Sequence, residues 1–245
     1  MFELETDIAT LDELLDSIEV LTSNVRLNFQ PEGVSIPVGD KANVGKADIW
    51  MDSTAFNIYE AGRITVGISV EKLRTIVDLS NADETLFIEV FPHQQKLDIN
   101  VDSQEFKIGL FDPESINEVP DTPDMSRPVS FTLPQEEFQR AMFSADAFVD
   151  HIKFVSDEDE QKFKMEAKGD TDEYRSEWKI GENQHSATGR GKYSLDYLTE
   201  LADAIPSNSE VEIEFGIDVP ALFHYNIADE EGTVEFSLAP RLENN

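Results

Sequence analysis

In four stretches of the chain, apolar residues recur every three or four positions, the spacing of one face of an α-helix. Residues 10–21 carry Leu11, Leu14, Leu15, Ile18 and Leu21, and residues 70–79 carry Val70, Leu73, Ile76 and Val77. Residues 135–145 carry Phe138, Ala141, Met142 and Ala145, and residues 195–205 carry Leu195, Leu198, Leu201 and Ala202. Ser69 and Ser194 stand where side-chain N-caps are expected, and Pro134 where a first-turn proline would open the third helix. Between these stretches the period drops to two, the mark of half-buried strands. Val25–Phe29 turns through Pro31, Glu32 and Gly33 into Val34–Ile36. Residues 85–90, 96–101, 162–167, 211–215 and 233–237 read the same way.

Helix starts lie about 60 residues apart within each half and about 125 apart between halves, which predicts an internal duplication. Residues 112–124 hold Pro113, Pro120 and Pro123 in a run of acids. Proline at that density excludes helix and central strand. The expected organisation is a domain over 1–112, a connecting loop over 113–126 and a second domain over 127–245. Each quarter supplies one helix and several antiparallel strands, so the expected class is α+β with the helices gathered on one face.

Composition changes the picture in two ways. The 51 acidic side chains outnumber 19 basic ones, for a formal net charge of -32. The acids are spread through the periodic segments rather than gathered in a tail. At 40% hydrophobic residues with 16 Phe, a core can form, so disorder is not expected. Molar salt shortens the Debye length to about 3 Å and screens such self-repulsion. The expectation is a folded protein of a high-salt cytosol. No cysteine is present, which removes disulfides, thiolate nucleophiles and zinc-thiolate sites. No long apolar run and no charged leader before an apolar core predicts a membrane span or signal peptide.

Motifs for catalysis or metal binding are weak. Gly189-Arg190-Gly191-Lys192-Tyr193 suggests a phosphate loop but lacks the earlier glycine and the following Ser or Thr. Asp157-Glu158-Asp159-Glu160 lacks the glycine and distal glutamate of a calcium loop. His93, His151, His185 and His224 have no zinc spacing. Among so many acids, carboxylate pairs arise by chance, and none marks a general acid or base. No catalytic residue, metal or cofactor is expected.

The C-terminus is more specific. Asp218-Val219-Pro220 leads to Leu222–Asp229, and after a strand the chain reads Leu238-Ala239-Pro240-Arg241-Leu242. Gly33-Val34-Ser35-Ile36, then Asp40-Lys41-Ala42-Asn43-Val44-Gly45, then Ala167-Lys168-Gly169-Asp170-Thr171-Asp172 and Tyr193–Leu198 follow in order. Together with the duplication and the linker, these segments resemble the DNA sliding clamps of the proliferating-cell-nuclear-antigen type, in a form close to the archaeal one. The resemblance implies a non-enzymatic processivity factor. Its subunit would be a duplicated two-domain clamp with antiparallel sheets outside and four helices lining a ring. Three copies would encircle double-stranded DNA, opened by a clamp loader, and would tether DNA polymerase, flap endonuclease and ligase through short peptide motifs.

Residue by residue, the resemblance puts Lys72, Arg74, Arg140 and Lys192 toward DNA. It puts Val44, Thr122, Pro123, Pro220, Ala239, Pro240 and Leu242 around an apolar groove for Gln-x-x-aliphatic-x-x-aromatic-aromatic peptides. Subunits would join by pairing 105–111 with 173–180, where Lys107, Arg175 and Lys179 could form ion pairs across the joint. Three departures stand out. The helix faces carry Asp12, Glu13, Asp16, Glu19, Asp78, Asp196, Glu200 and Asp203 where the family favours basic residues. Lys46 replaces an apolar residue, and Thr122 a larger aliphatic one. Two rival readings are an accessory or checkpoint-type clamp of a hetero-oligomeric ring, and a carboxylate-based hydrolase on a duplicated α+β scaffold.

Overall fold

A computed structural model of the chain describes residues 1–120, 122, 125–169, 171–181 and 187–241. Pro123, Leu242, Asp170 and His185, singled out above, lie outside the described residues. The chain forms two compact units. The first gathers residues 1–41, 46–120 and 226–234, and the second gathers 42–45, 121–225 and 235–245.

The first unit runs β1 (Phe2–Asp7), α1 (Ile8–Glu19), β2 (Asn24–Gln30), β3 (Gly33–Gly39), β4 (Gly45–Asp52), β5 (Ile58–Glu60), β6 (Ile64–Ser69), α2 (Val70–Asp78), β7 (Thr85–Phe91), β8 (Lys96–Val101) and β9 (Gln104–Gly109). Its strands lie in two antiparallel runs, β5-β1-β7-β8-β9 and β4-β3-β2-β6. The second unit runs β10 (Val129–Pro134), α3 (Gln135–Asp146), β11 (His151–Asp157), β12 (Lys162–Lys168), β13 (Glu173–Lys179), β14 (Gly189–Ser194), α4 (Leu195–Ala204), β15 (Glu210–Phe215) and β16 (Ala221–Ile227). These strands lie in the orders β13-β12-β11-β14 and β10-β15-β16. The last strand, β17 (Gly232–Leu238), begins in the first unit and ends in the second.

Helical periodicity translates directly into burial. Leu11, Leu14, Leu15 and Ile18 are buried on α1, and Val70, Leu73, Ile76 and Val77 on α2. Phe138, Ala141, Met142 and Ala145 are buried on α3, and Leu195, Leu198, Leu201 and Ala202 on α4. The cores differ in chemistry. The first is mainly aliphatic, with Leu15, Ile18, Ile36, Ile49 and Met51 nearly sealed. The second is aromatic, with Phe154 against Phe163, Tyr193, Phe215 and Phe223 at centroid distances of 5.1 to 6.3 Å.

Capping departs from expectation. Ser69 and Ser194 occupy the N-cap positions, yet neither side chain makes a cap hydrogen bond. Pro134 is itself the N-cap residue and the last residue of β10, rather than a first-turn proline. Each helix follows its strand with no intervening loop, so its first amide is satisfied by backbone. Ile8 N donates to Glu84 O at 3.0 Å, in the turn after α2, and Val70 N donates to Ser23 O at 3.0 Å, in the turn after α1. Gln135 N donates to Ser209 O at 2.9 Å and Leu195 N to Asp150 O at 3.0 Å, the same exchange between α3 and α4. The orphan donor of each helix start is thus met by the loop leaving its partner helix, and the duplication is repeated at the level of individual hydrogen bonds.

The connecting segment opens with a single 3-10 turn, Pro113–Ser115, where the prolines had excluded helix. A proline at the first position costs nothing there, because its missing N–H has no partner to lose. Asp112 accepts from Glu114 N at 3.0 Å and sets the turn. The Arg26 guanidinium then donates to Ile116 O and lies 3.5 Å from Glu118, and Lys46 Nζ donates to Pro120 O at 3.1 Å. This part of the segment is seated on the first unit rather than spanning free.

Candidate functional site

In the first unit the polar face of α1 is organised around one cation. Asp12, Asp16 and Glu19 are spaced four and three residues apart, which puts them on one helix face. Arg74 of α2 reaches all three. Its Nη2 is 2.5 Å from Asp16 Oδ1, its Nε donates to Glu19 Oε2 at 2.8 Å, and its Nη1 donates to Asp12. Only 19% of the Arg74 side chain is exposed. Burial works against the charged guanidinium, but the bonds to Glu19 and Asp12 and the field of Asp16 outweigh it and raise its pKa. Burial also raises the pKa of Asp16, opposed by Arg74 and reinforced by Asp12 and Glu19. Arg74, expected to face DNA, is therefore committed to the helix pair. Lys72 is exposed on α2.

Glu13, counted among the acids facing outward, also has an internal partner. Its Oε2 accepts from Ala228 N at 2.7 Å. Ala228, Asp229 and Glu230 have φ values of 54, 51 and 74°, three successive left-handed residues without glycine. Each such residue costs about 1 kcal/mol or more. The turn is held by Glu13 at its start, by Glu231 N bonding Ala228 O at 3.0 Å, and by Asp52 N bonding Glu231 O at 2.9 Å.

In the second unit, Gln135 Nε2 donates to Ala202 O at 3.1 Å and Gln139 Nε2 to Asp203 Oδ1 at 2.8 Å, linking α3 to α4. Arg140 is exposed on α3. Lys192 is half-buried on β14, and its carbonyl accepts from Arg241 N at 2.7 Å.

That bond belongs to the segment expected to line the groove. Ala239 N donates to Val44 O at 2.9 Å, which brings two of the predicted groove residues side by side. Val44, Thr122, Pro220, Ala239 and Pro240 are all half-buried. Two supports were missed from sequence. Arg127 Nε donates to Pro220 O at 2.7 Å. Tyr193 Oη donates to Val219 O at 3.0 Å, and burial raises its pKa. The Gly-Arg-Gly run beside it has a packing reason: a Cβ at Gly191 would lie 2.3 Å from Tyr193 Oη, and one at Gly189 would lie 2.7 Å from Val129. The run is strand β14 and makes no phosphate loop. Asp157 to Glu160 lead into a turn in which Asp159 N bonds Asp157 Oδ1 at 2.9 Å. Among the described residues no cluster of metal-ligating side chains occurs.

The stretches expected to join subunits contain the end strands β9 and β13 of their sheets. Two of their three cations, Lys107 and Arg175, have partners at home. Lys107 Nζ is 2.8 Å from Glu105, a bond that raises its pKa. Arg175 is 3.0 Å from Glu177 and 3.7 Å from Glu166. The hydrogen bond from Lys162 and the charge of Arg175 hold Glu177 below the usual carboxylate range. Lys179 stands opposite Lys162 in register. Trp178 Nε1 donates to Glu137 Oε2 at 2.6 Å and fixes β13 to α3.

Comparison with known proteins decides the family. Residues 1–111 match the model of the N-terminal domain of proliferating cell nuclear antigen. The DNA polymerase sliding clamp of Halobacterium salinarum is 34% identical over 247 aligned positions, covering the whole of both chains. The chain belongs to the DNA polymerase sliding clamp family. The sliding clamp of Natronomonas pharaonis is 32% identical, again over the whole of both chains. Among solved structures, A. fulgidus PCNA, determined with the C-terminal region of FEN-1 bound, superposes with a TM-score of 0.93 at 25% identity over all of both chains. PCNA from Thermococcus kodakaraensis shares the fold, with a TM-score of 0.88 at 22% identity over 98% of this chain and 100% of that one. This clamp is thus a non-enzymatic processivity factor of DNA replication, and the hydrolase reading falls. Among the described residues no helix is long and apolar enough to cross a membrane.

Proposed function

We propose that three copies of this chain close into a ring around duplex DNA and carry replication and repair proteins on short peptides. One observation carries the docking part. The Ala239–Val44 bond holds the Leu238-Ala239-Pro240 segment beside a second predicted groove residue. A relative is solved with the C-terminal region of FEN-1 bound, a peptide-like partner for such a groove. The family resemblance adds Thr122, Pro123, Pro220 and Leu242 to this groove, and polymerase, loader, flap endonuclease and ligase are its proposed occupants. The domains are 1–112 and 127–245, with 113–126 connecting them.

The DNA-facing cations are Lys72, Arg140 and Lys192, with Arg74 contributing through a charge it shares with three carboxylates. Few phosphates can be neutralised, so direct affinity is low and its salt dependence shallow. Retention depends on closure. The end strands β9 and β13 offer unpaired edges for strand addition between subunits. The backbone makes that joint, and the ion pairs of Lys107 and Arg175 stay within their own sheets. The net charge of -32 suits a concentrated-salt cytosol.

The test is loading onto nicked circular DNA followed by gel filtration before and after linearisation. Loss of the clamp on linearisation is expected. Equal retention on both forms would mean direct grip and would end the encirclement reading. Light scattering must also give the mass of three subunits.

A further inference from the structure

After β9 the chain meets β6, the end strand of its sheet. Phe111 bridges Gly67 there, its N donating to Gly67 O at 2.8 Å. Gly67 in turn stands opposite Arg26 of β2 in register. A Cβ at Gly67 would lie 3.0 Å from Phe111 O and 3.0 Å from Ile116 Cδ1. The bare glycine thus lets the segment come close to the sheet and leaves the row open between Arg26 and the segment. Across that opening the half-buried Arg26 guanidinium donates to Ile116 O and lies 3.5 Å from Glu118 Oε1.

A second cation fastens the far end. Lys46 Nζ donates to Pro120 O at 3.1 Å. Lys46 and Pro120 are the two ends of the continuous stretch 46–120 that belongs to the first unit. The groove residues Val44 and Thr122 each stand just beyond one of those ends in the sequence. The fastenings are polar, since none of the described residues 111–120 is buried and Phe111 is 40% exposed. Apolar burial therefore contributes little to holding this segment. Hydrogen bonds from a charged donor are stronger than neutral ones, and here they join side chains of the sheet to carbonyls of the segment. Removing either cation would release backbone without opening the core.

We propose that Arg26 and Lys46 are positioning residues for peptide docking. They hold 111–120 on the first unit, so that the chain entering Thr122 is ordered before a peptide arrives. This inference rests on the groove reading given above. Neither cation touches the peptide; both reduce the ordering entropy that docking would otherwise cost.

The test uses the full chain in about 2 M potassium chloride, where long-range attraction between a cation and a peptide is screened. Arg26→Met and Lys46→Met keep the apolar stems and remove the donors. Lys46→Arg keeps a donor, and Arg63→Met is a charge-matched control on an exposed residue before β6. Calorimetry with a Gln-x-x-aliphatic-x-x-aromatic-aromatic peptide should show each Met variant of Arg26 and Lys46 binding roughly 3- to 10-fold more weakly. Lys46→Arg and Arg63→Met should bind as the natural chain does. Endoproteinase Glu-C, which can cut after Glu114 and Glu118, should open the segment several-fold faster in the two weakened variants. Their thermal midpoints should stay near the natural one, because the core is untouched. Gly67→Ala, which retains both cations but crowds Ile116 and Phe111, should also weaken binding and speed cutting. Pro240→Glu is measured alongside. If it weakens binding while Arg26→Met and Lys46→Met do not, the groove stands and the positioning role is refuted. If Pro240→Glu has no effect, the groove reading fails and this inference falls with it. Faster cutting with unchanged affinity, or an equal loss in Arg63→Met, would also overturn it.

Discussion

Replacing Arg74 by Met separates two roles that one arginine could serve. Met keeps the apolar stem packed between α1 and α2 and removes only the charge and its donors. Three carboxylates then lose their partner while remaining four and three residues apart on α1. The Arg74 side chain is 19% exposed, and its partners Asp12, Asp16 and Glu19 are 47, 43 and 35% exposed. An exposed ion pair contributes about 0–1 kcal/mol, and breaking a buried one costs about 3–5 kcal/mol. The cage lies between these limits, so its removal should cost about 2–3 kcal/mol in dilute salt. Residual repulsion among like charges at helical spacing adds a few tenths more. Molar salt screens that repulsion, and the cost there should fall to about 1 kcal/mol. Urea denaturation is the assay, at about 0.1 M and about 2 M potassium chloride, because urea leaves ionic strength free to vary. The pKa of Asp16 should rise further in the variant, since the opposing guanidinium is gone. A loss under about 0.5 kcal/mol at low salt, with reduced retention on DNA, would show that Arg74 works toward the duplex and would overturn the cage. Arg140→Met and Lys72→Met serve as comparisons; both lie on exposed faces and should change stability by less than about 0.5 kcal/mol.

Other outcomes follow from the same geometry. Gly191→Ala drives a methyl into the buried Tyr193 ring and should cost about 1–3 kcal/mol by chemical denaturation; an unchanged midpoint would mean the ring can move aside. Pro240→Glu sets a charge in the apolar groove and should weaken a Gln-x-x-aliphatic-x-x-aromatic-aromatic peptide by about 2 kcal/mol in calorimetry; unchanged affinity would place the site elsewhere. Burial pushes the Tyr59 hydroxyl up to about 12, above its ordinary value of 10.0. A group raised on folding supports stability fully below its unfolded pKa, so that support should drain away between about pH 10 and about 12. Tyr59→Phe should flatten this limb of the stability profile, and a profile as steep as the natural one would assign the loss to other groups.

The helices and most strands were legible because their signal is local. A period of 3.6 or 2 needs no knowledge of neighbours, and Leu11 to Ile18 or Lys162 to Ala167 show it in a few residues. Caps were misjudged because Ser69 and Ser194 are good cap residues in isolation, whereas the bonds that matter come from loops on the partner helix. The partners of the acidic faces were not legible for a related reason. The spacing of Asp12, Asp16 and Glu19 is visible in the sequence, but their common partner lies 55 residues beyond Glu19. Glu13 and Ala228 are 215 positions apart. The Gly-Arg-Gly run failed as a phosphate loop in the sequence, and the reason for Gly191, the ring of Tyr193 beside it, becomes visible only in the packed strand. The C-terminal motif pointed to Val44 and Ala239, which a backbone bond joins; Arg127, which donates to Pro220 O, carries no local mark.

The path of the backbone through the two units bears on how this molecule can be divided. The chain passes from one unit to the other at 41/42, 45/46, 120/121, 225/226 and 234/235. A protease that nicks the connecting segment therefore does not release two finished halves. The N-terminal fragment would lack residues 226–234, which include the left-handed turn anchored by Glu13, and the C-terminal fragment would lack residues 42–45, including Val44. Each fragment keeps a missing piece of the other, so nicked protein should stay together as a complex through ordinary purification and separate only when unfolded. The two halves of the repeat are complementary parts, each unit being completed by residues from the other half of the chain.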